Sequence, residues 1–150
     1  MIVYRITHIK YANQLIGSGV ANRWNLPGQF VIYTASSKSL ACLENLVYSS
    51  GETLRSGLFK CLEIFIPENL SINTVFLKDV SGNYNSEEGR ILTQEIGNKW
   101  YSQNKDLLLK VPSAIIQSEY NFVINTRHHD FKKVKIIRSY QFVFDKRLGK

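Results

Sequence analysis

Cysteine is scarce in this sequence: Cys42 and Cys61 are the only two. Each stands among apolar neighbours, Leu40-Ala41-Cys42-Leu43 and Phe59-Lys60-Cys61-Leu62, so both are expected to be free thiols. Neither a disulfide framework nor a paired Cys/His metal site has the residues it requires. Long apolar runs are missing too, which excludes a membrane-spanning helix, and no membrane partner is expected. Met1-Ile2-Val3-Tyr4-Arg5-Ile6 reads as a strand and lacks the basic start and apolar stretch of a signal peptide. These absences together point to a cytoplasmic location. There is no P-loop, no GxGxxG and no GxSxG elbow, so ATP use, a Rossmann-type dinucleotide site and serine-hydrolase chemistry are unsupported. The three histidines, His8, His128 and His129, share no metal-ligand spacing; no metal is expected, and the His128-His129 pair is expected at the surface.

What is present is an ordinary globular balance, 44% hydrophobic and 21% charged, over a length that suits one compact domain spanning residues 1–150. The net charge of +7 is unevenly placed. Residues 127–150 hold eight Lys/Arg against two Asp, a net of +6, and the first 126 residues hold only +1. Such a basic segment suits a solvated surface, an acidic partner protein, nucleic acid or an anionic ligand.

Strand patterns occur at 2–7, at Val31–Ala35, from Phe59 to Pro67, at 70–77, from Leu107 to Val111, at 121–125 and from Lys135 to Asp145. In the last, Ile137, Tyr140, Phe142 and Phe144 are the apolar members. Ser36-Ser37 supplies an N-cap for a helix over 38–49. Residues 87–102 have helical spacing, with Ile91, Glu95 and Ile96 placed near Trp100. Residues 12–29, with three glycines and Pro27, form a long loop that holds Arg23-Trp24-Asn25; residues 81–89 form a polar one. Strands outnumber helices without regular βαβ units, which predicts an α+β domain with a mixed, mostly antiparallel sheet.

In the first helix, Leu40, Leu43 and Val47 make an apolar stripe at i, i+3 and i+7, and Glu44 belongs to it. A carboxylate there lies at the stripe's edge, is paired, or faces a pocket, because burying it alone is costly. Arg23, Tyr33 and Glu44 fall within 22 residues. An arginine suits phosphates, a tyrosine stacks on a ring, and a glutamate stabilises a developing cation. That set fits a nucleotide whose glycosidic bond is broken. Val111-Pro112-Ser113-Ala114 places a serine where the backbone turns, with its hydroxyl expected to be exposed.

Read in order, these segments resemble the RES domain family. The resemblance rests on Val3-Tyr4-Arg5-Ile6, Gly17-Ser18-Gly19, Arg23-Trp24-Asn25, Val31-Ile32-Tyr33-Thr34-Ala35, Leu40-Ala41-Cys42-Leu43-Glu44, Ile96-Gly97-Asn98-Lys99-Trp100, Val111-Pro112-Ser113-Ala114, Glu119-Tyr120-Asn121-Phe122-Val123-Ile124-Asn125 and Phe142-Val143-Phe144-Asp145-Lys146-Arg147-Leu148. It implies an ADP-ribosyltransferase-like fold and a toxin of a toxin–antitoxin pair that depletes NAD by cleaving the nicotinamide–ribose bond. The acceptor would be inorganic phosphate or water, with NAD as substrate and no cofactor. On that resemblance Arg23, Tyr33, Glu44 and Ser113 take the functional positions, and Arg5 and Asn121 are further NAD-binding candidates. It also implies an Xre-type antitoxin partner and assembly as a homo-oligomer or a hetero-oligomer with that antitoxin. Trp24, Tyr48 and Trp100 are core residues or interface aromatics.

Two rivals stand beside this reading. The same cleft could transfer ADP-ribose to a protein side chain. Alternatively, the basic C-terminal part and the His128-His129 pair could serve a nucleic-acid-binding or ribonuclease-type toxin. No RNA-binding signature or helix-turn-helix is present, so direct nucleic-acid binding is not expected.

Overall fold

The fold is described from a computed structural model over residues 1–148. Among the described residues, seven strands form one sheet: β1 (Ile2–His8), β2 (Val31–Ala35), β3 (Phe59–Phe65), β4 (Ile72–Thr74), β5 (Leu108–Pro112), β6 (Tyr120–Asn125) and β7 (Lys135–Phe142). Their order is β4-β5-β6-β2-β1-β3-β7. Only β4–β5 is parallel; the other pairs are antiparallel. Among the described residues, three α-helices accompany the sheet: α1 (Lys38–Tyr48), the single turn α2 (Gly51–Leu54) and α3 (Arg90–Gln103). The Lys150 end of the basic segment lies outside the described residues.

Alternation along the strands sorts side chains to two faces. Val3, Ile32, Leu62, Ile64, Leu108, Phe122 and Ile124 pack together on one face. On the other face, Val31, Leu109, Val111 and Val123 lie against Trp24, Trp100 and Tyr101. Ile6, Ala35 and Cys61 lie there too, beneath Leu40 and Ala41 of α1. Trp24 and Trp100 are therefore core residues, whereas Tyr48 is 65% exposed. Both cysteines are free thiols.

The sheet has one seam. β1 pairs with β3 along seven residues, but with β2 only at Tyr4–Ala35. Beyond that bridge the two strands part. The Ile6 carbonyl accepts instead from Asn45 Nδ2 of α1 at 3.2 Å. A strand edge without a ladder must find other partners for its backbone groups, and a side chain or ligand can serve.

Three expected side-chain placements are corrected. Helix α1 begins as expected, with Ser37 Oγ accepting from Leu40 N–H at 3.1 Å. Its buried face, however, runs through Leu40 and Ala41, and Val47 is 62% exposed. The sheet lies beneath 40, 41, 44 and 45 rather than beneath the Leu40–Leu43–Val47 stripe. In α3 the buried residues are Thr93, Gly97, Trp100 and Tyr101, while Ile91 is 69% exposed. Glu95 is exposed as well. Helix α3 packs on a polar turn, which selects small and hydroxylated residues. In β7 the register shifts between Glu63 and Ile64, which pair with Arg138 and Ile136. Ile137 is the extra residue of that bulge and is 52% exposed. Phe144 is buried beyond the strand's end at Phe142. Among the described residues, no helix is long and apolar enough to cross a membrane.

Candidate active site

A cleft of about 370 Å³ opens where β1 and β2 part, between α1 and the turn at residues 22–25. Arg5, Arg23, Tyr33, Glu44 and Asn121 all line it. The sixth expected residue, Ser113, does not: it is fully buried, and its neighbour Ala114 reaches the cleft. The expected exposed hydroxyl is thus corrected. Ser113 Oγ turns inward because it accepts from the N–H groups of Ile115 (3.0 Å) and Ile116 (3.2 Å).

That inward hydroxyl still bears on the site. It donates to Glu44 Oε1 at 3.1 Å, and Asn121 Nδ2 donates to the same oxygen. Three separate elements therefore converge on one carboxylate: α1, the turn after β5, and β6. Glu44 Oε2 has no protein hydrogen-bond partner among the described residues. Glu44 is also the one carboxylate among the described residues lining the cleft. Asn121 Oδ1 is buried without a partner.

Tyr33 is held at both lone pair and proton. Its hydroxyl accepts from Trp24 N–H at 3.0 Å and donates to Asn25 Oδ1 at 2.8 Å. Burial pushes its pKa well above the usual tyrosine range, against a smaller opposing effect of the Trp24 bond. The ring is therefore a neutral wall of the cleft, not a base. Asn25 is itself fully buried and donates to the carbonyls of Val20 (2.9 Å) and Leu26 (3.1 Å).

The Arg23 guanidinium is partly committed to the protein. Its Nη1 donates to the carbonyls of Tyr84 (2.8 Å) and Ser86 (3.0 Å), and Nε is buried without a partner. Tyr84, 1% exposed, donates its hydroxyl to the Ser113 carbonyl at 2.6 Å. The polar loop at 81–89 thus joins Arg23 to Ser113. Helix α3 supports the same turn from behind. Thr93 Oγ1 donates to the Arg23 carbonyl at 2.7 Å, and Gln94 Nε2 to the Asn22 carbonyl at 2.8 Å. At Gly97 the helix approaches so closely that a Cβ would lie 1.7 Å from the Trp24 carbonyl oxygen.

Arg5 is the other cleft cation. Its Nη1 is buried without a hydrogen-bond partner, and burial lowers its pKa. Among the described residues, neither Arg5 nor Arg23 has a carboxylate within salt-bridge distance. Two cations and one carboxylate leave the cleft net positive, which favours an anionic ligand.

The expected surface position of His128 is corrected: it is 3% exposed. Its Nδ1 accepts from Asp130 N–H and its Nε2 lies 3.2 Å from the Lys105 carbonyl, so it caps a 3₁₀ turn at His129–Lys133. His128, His129 and Asp130 bring possible metal-ligand atoms within 4.8 Å of one another, but both His128 nitrogens are already bonded to backbone.

Removing the inward hydroxyl separates its two duties. Ser113→Ala is expected to cost about 1–2 kcal/mol of stability from the stranded N–H groups. It is also expected to lower turnover by roughly 10–100-fold through a loosened Glu44. Thermal denaturation and steady-state kinetics read the two effects separately; a variant with wild-type turnover would remove Ser113 from the site's support.

The α+β fold, with its sheet split at a cleft, thus brings one braced carboxylate beside two arginines. The chain belongs to the RES domain family, which matches residues 2–145. It is 35% identical over 155 residues to Toxin Res of Photorhabdus laumondii, covering 100% of this chain and 98% of that protein. It is 31% identical over 144 residues to the Prs ADP-ribosylating toxin of Sphingobium sp., covering 91% and 88% of the two chains. Among solved structures, it resembles a chain of the M. tuberculosis MbcT–MbcA toxin–antitoxin complex with a TM-score of 0.79 at 16% identity, covering 95% of this chain and 84% of that one. The fold is α+β with a mixed, mostly antiparallel sheet, as expected, and is shared with that chain.

Asn25, Tyr84, Thr93, Gln94 and Gly97 support the site and had no role assigned from the sequence. Asn25 and Gly97 stood in segments that carry the family resemblance, and a glycine inside a helical pattern is a signal of tight packing.

Proposed function

We propose that this chain is the toxin of a toxin–antitoxin pair and cleaves the nicotinamide–ribose bond of NAD in the cytoplasm. The observation that carries this reading is Glu44, which lines the cleft and whose Oε1 is fixed by Ser113 and Asn121. Breaking the bond sends its electron pair to the cationic nicotinamide ring, which leaves neutral, and builds positive charge on the ribose. A carboxylate held beforehand at that place stabilises the charge as it develops and needs no rearrangement. Asn121 Oδ1, unpartnered, suits a ribose hydroxyl. Tyr33 walls the nicotinamide, and Arg23 and Arg5 suit the diphosphate.

Two acceptors satisfy the chemistry. Inorganic phosphate attacking the anomeric carbon gives ADP-ribose-1″-phosphate; water gives ADP-ribose and a proton. The net positive cleft favours phosphate. The Sphingobium relative's designation as ADP-ribosylating favours a second reading, in which a protein side chain is the acceptor. The toxin–antitoxin complex with the same fold supports an antitoxin partner, proposed here to be of the Xre type, and an oligomeric assembly with it.

Purified protein incubated with NAD, with and without phosphate, tests the reading through products resolved by mass spectrometry. We expect nicotinamide release with a phosphorylated ADP-ribose when phosphate is present. Free ADP-ribose regardless of phosphate identifies water as acceptor, and label retained on protein identifies a side chain. Intact NAD with folded, antitoxin-free protein would overturn the proposal.

A further inference from the structure

The cleft extends past the residues assigned to bond breaking. Beyond Glu44 it is lined by His8, Tyr11 and Phe59, at the end of β1 and in the 3₁₀ turn that follows (Ile9–Tyr11). Glu44 Oε1 accepts from Asn121 Nδ2, and Asn121 pairs with Ala35, which pairs with Tyr4, so the carboxylate lies level with Tyr4. His8 lies four residues farther along the strand, about 13 Å away.

The side chains at this end are arranged around one ring. His8 meets Tyr11 edge-on, with centroids 6.4 Å apart at 60°, and meets Phe59 at 6.1 Å and 73°. Phe59 is buried and supports the group, whereas Tyr11 is 59% exposed and lines the cleft. His8 Nδ1 accepts from Lys10 N–H at 3.2 Å. In the neutral ring this leaves the proton on Nε2, and that donor has no protein acceptor among the described residues. Lys10 Nζ stands 5.9 Å from the Tyr11 centroid, so the rim here is cationic. Arg5, with its unpartnered Nη1, lies on β1 between this end and Tyr4.

An exposed aromatic ring in the cleft, a free N–H donor beside it and a buried guanidinium between them and the carboxylate suit a heteroaromatic base joined to a phosphate. We propose that the His8–Tyr11 end binds the purine base of the dinucleotide: the base stacks on Tyr11, His8 Nε2–H donates to a ring nitrogen, and the adjoining phosphate passes Arg5. This rests on the NAD reading of the cleft and adds what makes the site select a dinucleotide. Stacking on a tyrosine is tolerant of base identity, so the ring-nitrogen bond supplies the discrimination.

The experiment uses the full chain and two readouts. The first is binding of AMP by calorimetry, which needs no catalysis. The second is selectivity, kcat/KM for NAD over that for nicotinamide mononucleotide, which has the same scissile bond and lacks the adenylate. Tyr11→Ala, at an exposed position, is expected to weaken AMP binding at least tenfold and to lower the selectivity by a similar factor; Tyr11→Trp is expected to restore both. Absence of saturable AMP binding to wild type, or AMP affinity unchanged in Tyr11→Ala, overturns the base seat. Equal losses on NAD and on the mononucleotide overturn it too. If AMP binds through Tyr11 but no NAD is consumed, the seat stands and the proposed reaction fails.

Discussion

Replacing Glu44 with glutamine is expected to reduce NAD cleavage by about 1,000-fold or more, equivalent to ~4 kcal/mol of transition-state stabilisation. The substitution keeps the shape of the side chain and an acceptor for Ser113 and Asn121, so the melting temperature should change little. What is lost is the negative charge beside a ribose that becomes cationic, at a place where the cleft otherwise holds Arg5 and Arg23. Because those arginines remain, substrate binding should weaken less than turnover, and the loss should appear in kcat. Nicotinamide release, measured on protein shown to be folded, checks this; wild-type turnover in Glu44→Gln would refute the central assignment.

The second large effect is expected at a residue that touches no substrate. Gly97→Ala places a methyl group 1.7 Å from the Trp24 carbonyl oxygen, a backbone atom that cannot rotate away. Either α3 or the 22–25 turn must move. Overpacking of this kind costs about 3 kcal/mol, and for a domain of this size that lowers the melting temperature by roughly 6–12 °C. Activity should fall with it, because the same turn carries Arg23 and the Trp24 N–H that holds the Tyr33 hydroxyl. Differential scanning calorimetry with steady-state kinetics reads both consequences. An unchanged melting temperature would mean that the approach of α3 to the turn is looser than described.

These two residues differ in how far a linear reading can reach. Glu44 was visible as a carboxylate set in an apolar pattern, and Arg23 and Tyr33 were visible because their residue types and short spacing suit a nucleotide. The strand at Val31–Ala35 and the cap at Ser37 were equally legible, since alternation and capping are properties of consecutive residues. Ser113 was found for its position and misread in its direction, because its hydroxyl is turned by two N–H groups that only the folded turn brings near. The stripe on α1 was misread for a related reason: periodicity identifies a helix, but which face is buried depends on where the sheet lies.

The sequence by itself thus determined the element types, the family resemblance and the chemical character of the cleft, because each of these is written in local pattern and residue type. Tertiary structure alone decided that β1 and β2 part after Tyr4–Ala35 and that Ser113 and Asn121 share one oxygen of Glu44. It also decided that Thr93, Gln94 and Gly97 hold the turn bearing Arg23. Those facts join residues about 30 to 77 positions apart in the chain. A hydrogen bond or a steric approach has no signature until the chain has closed the distance between its partners.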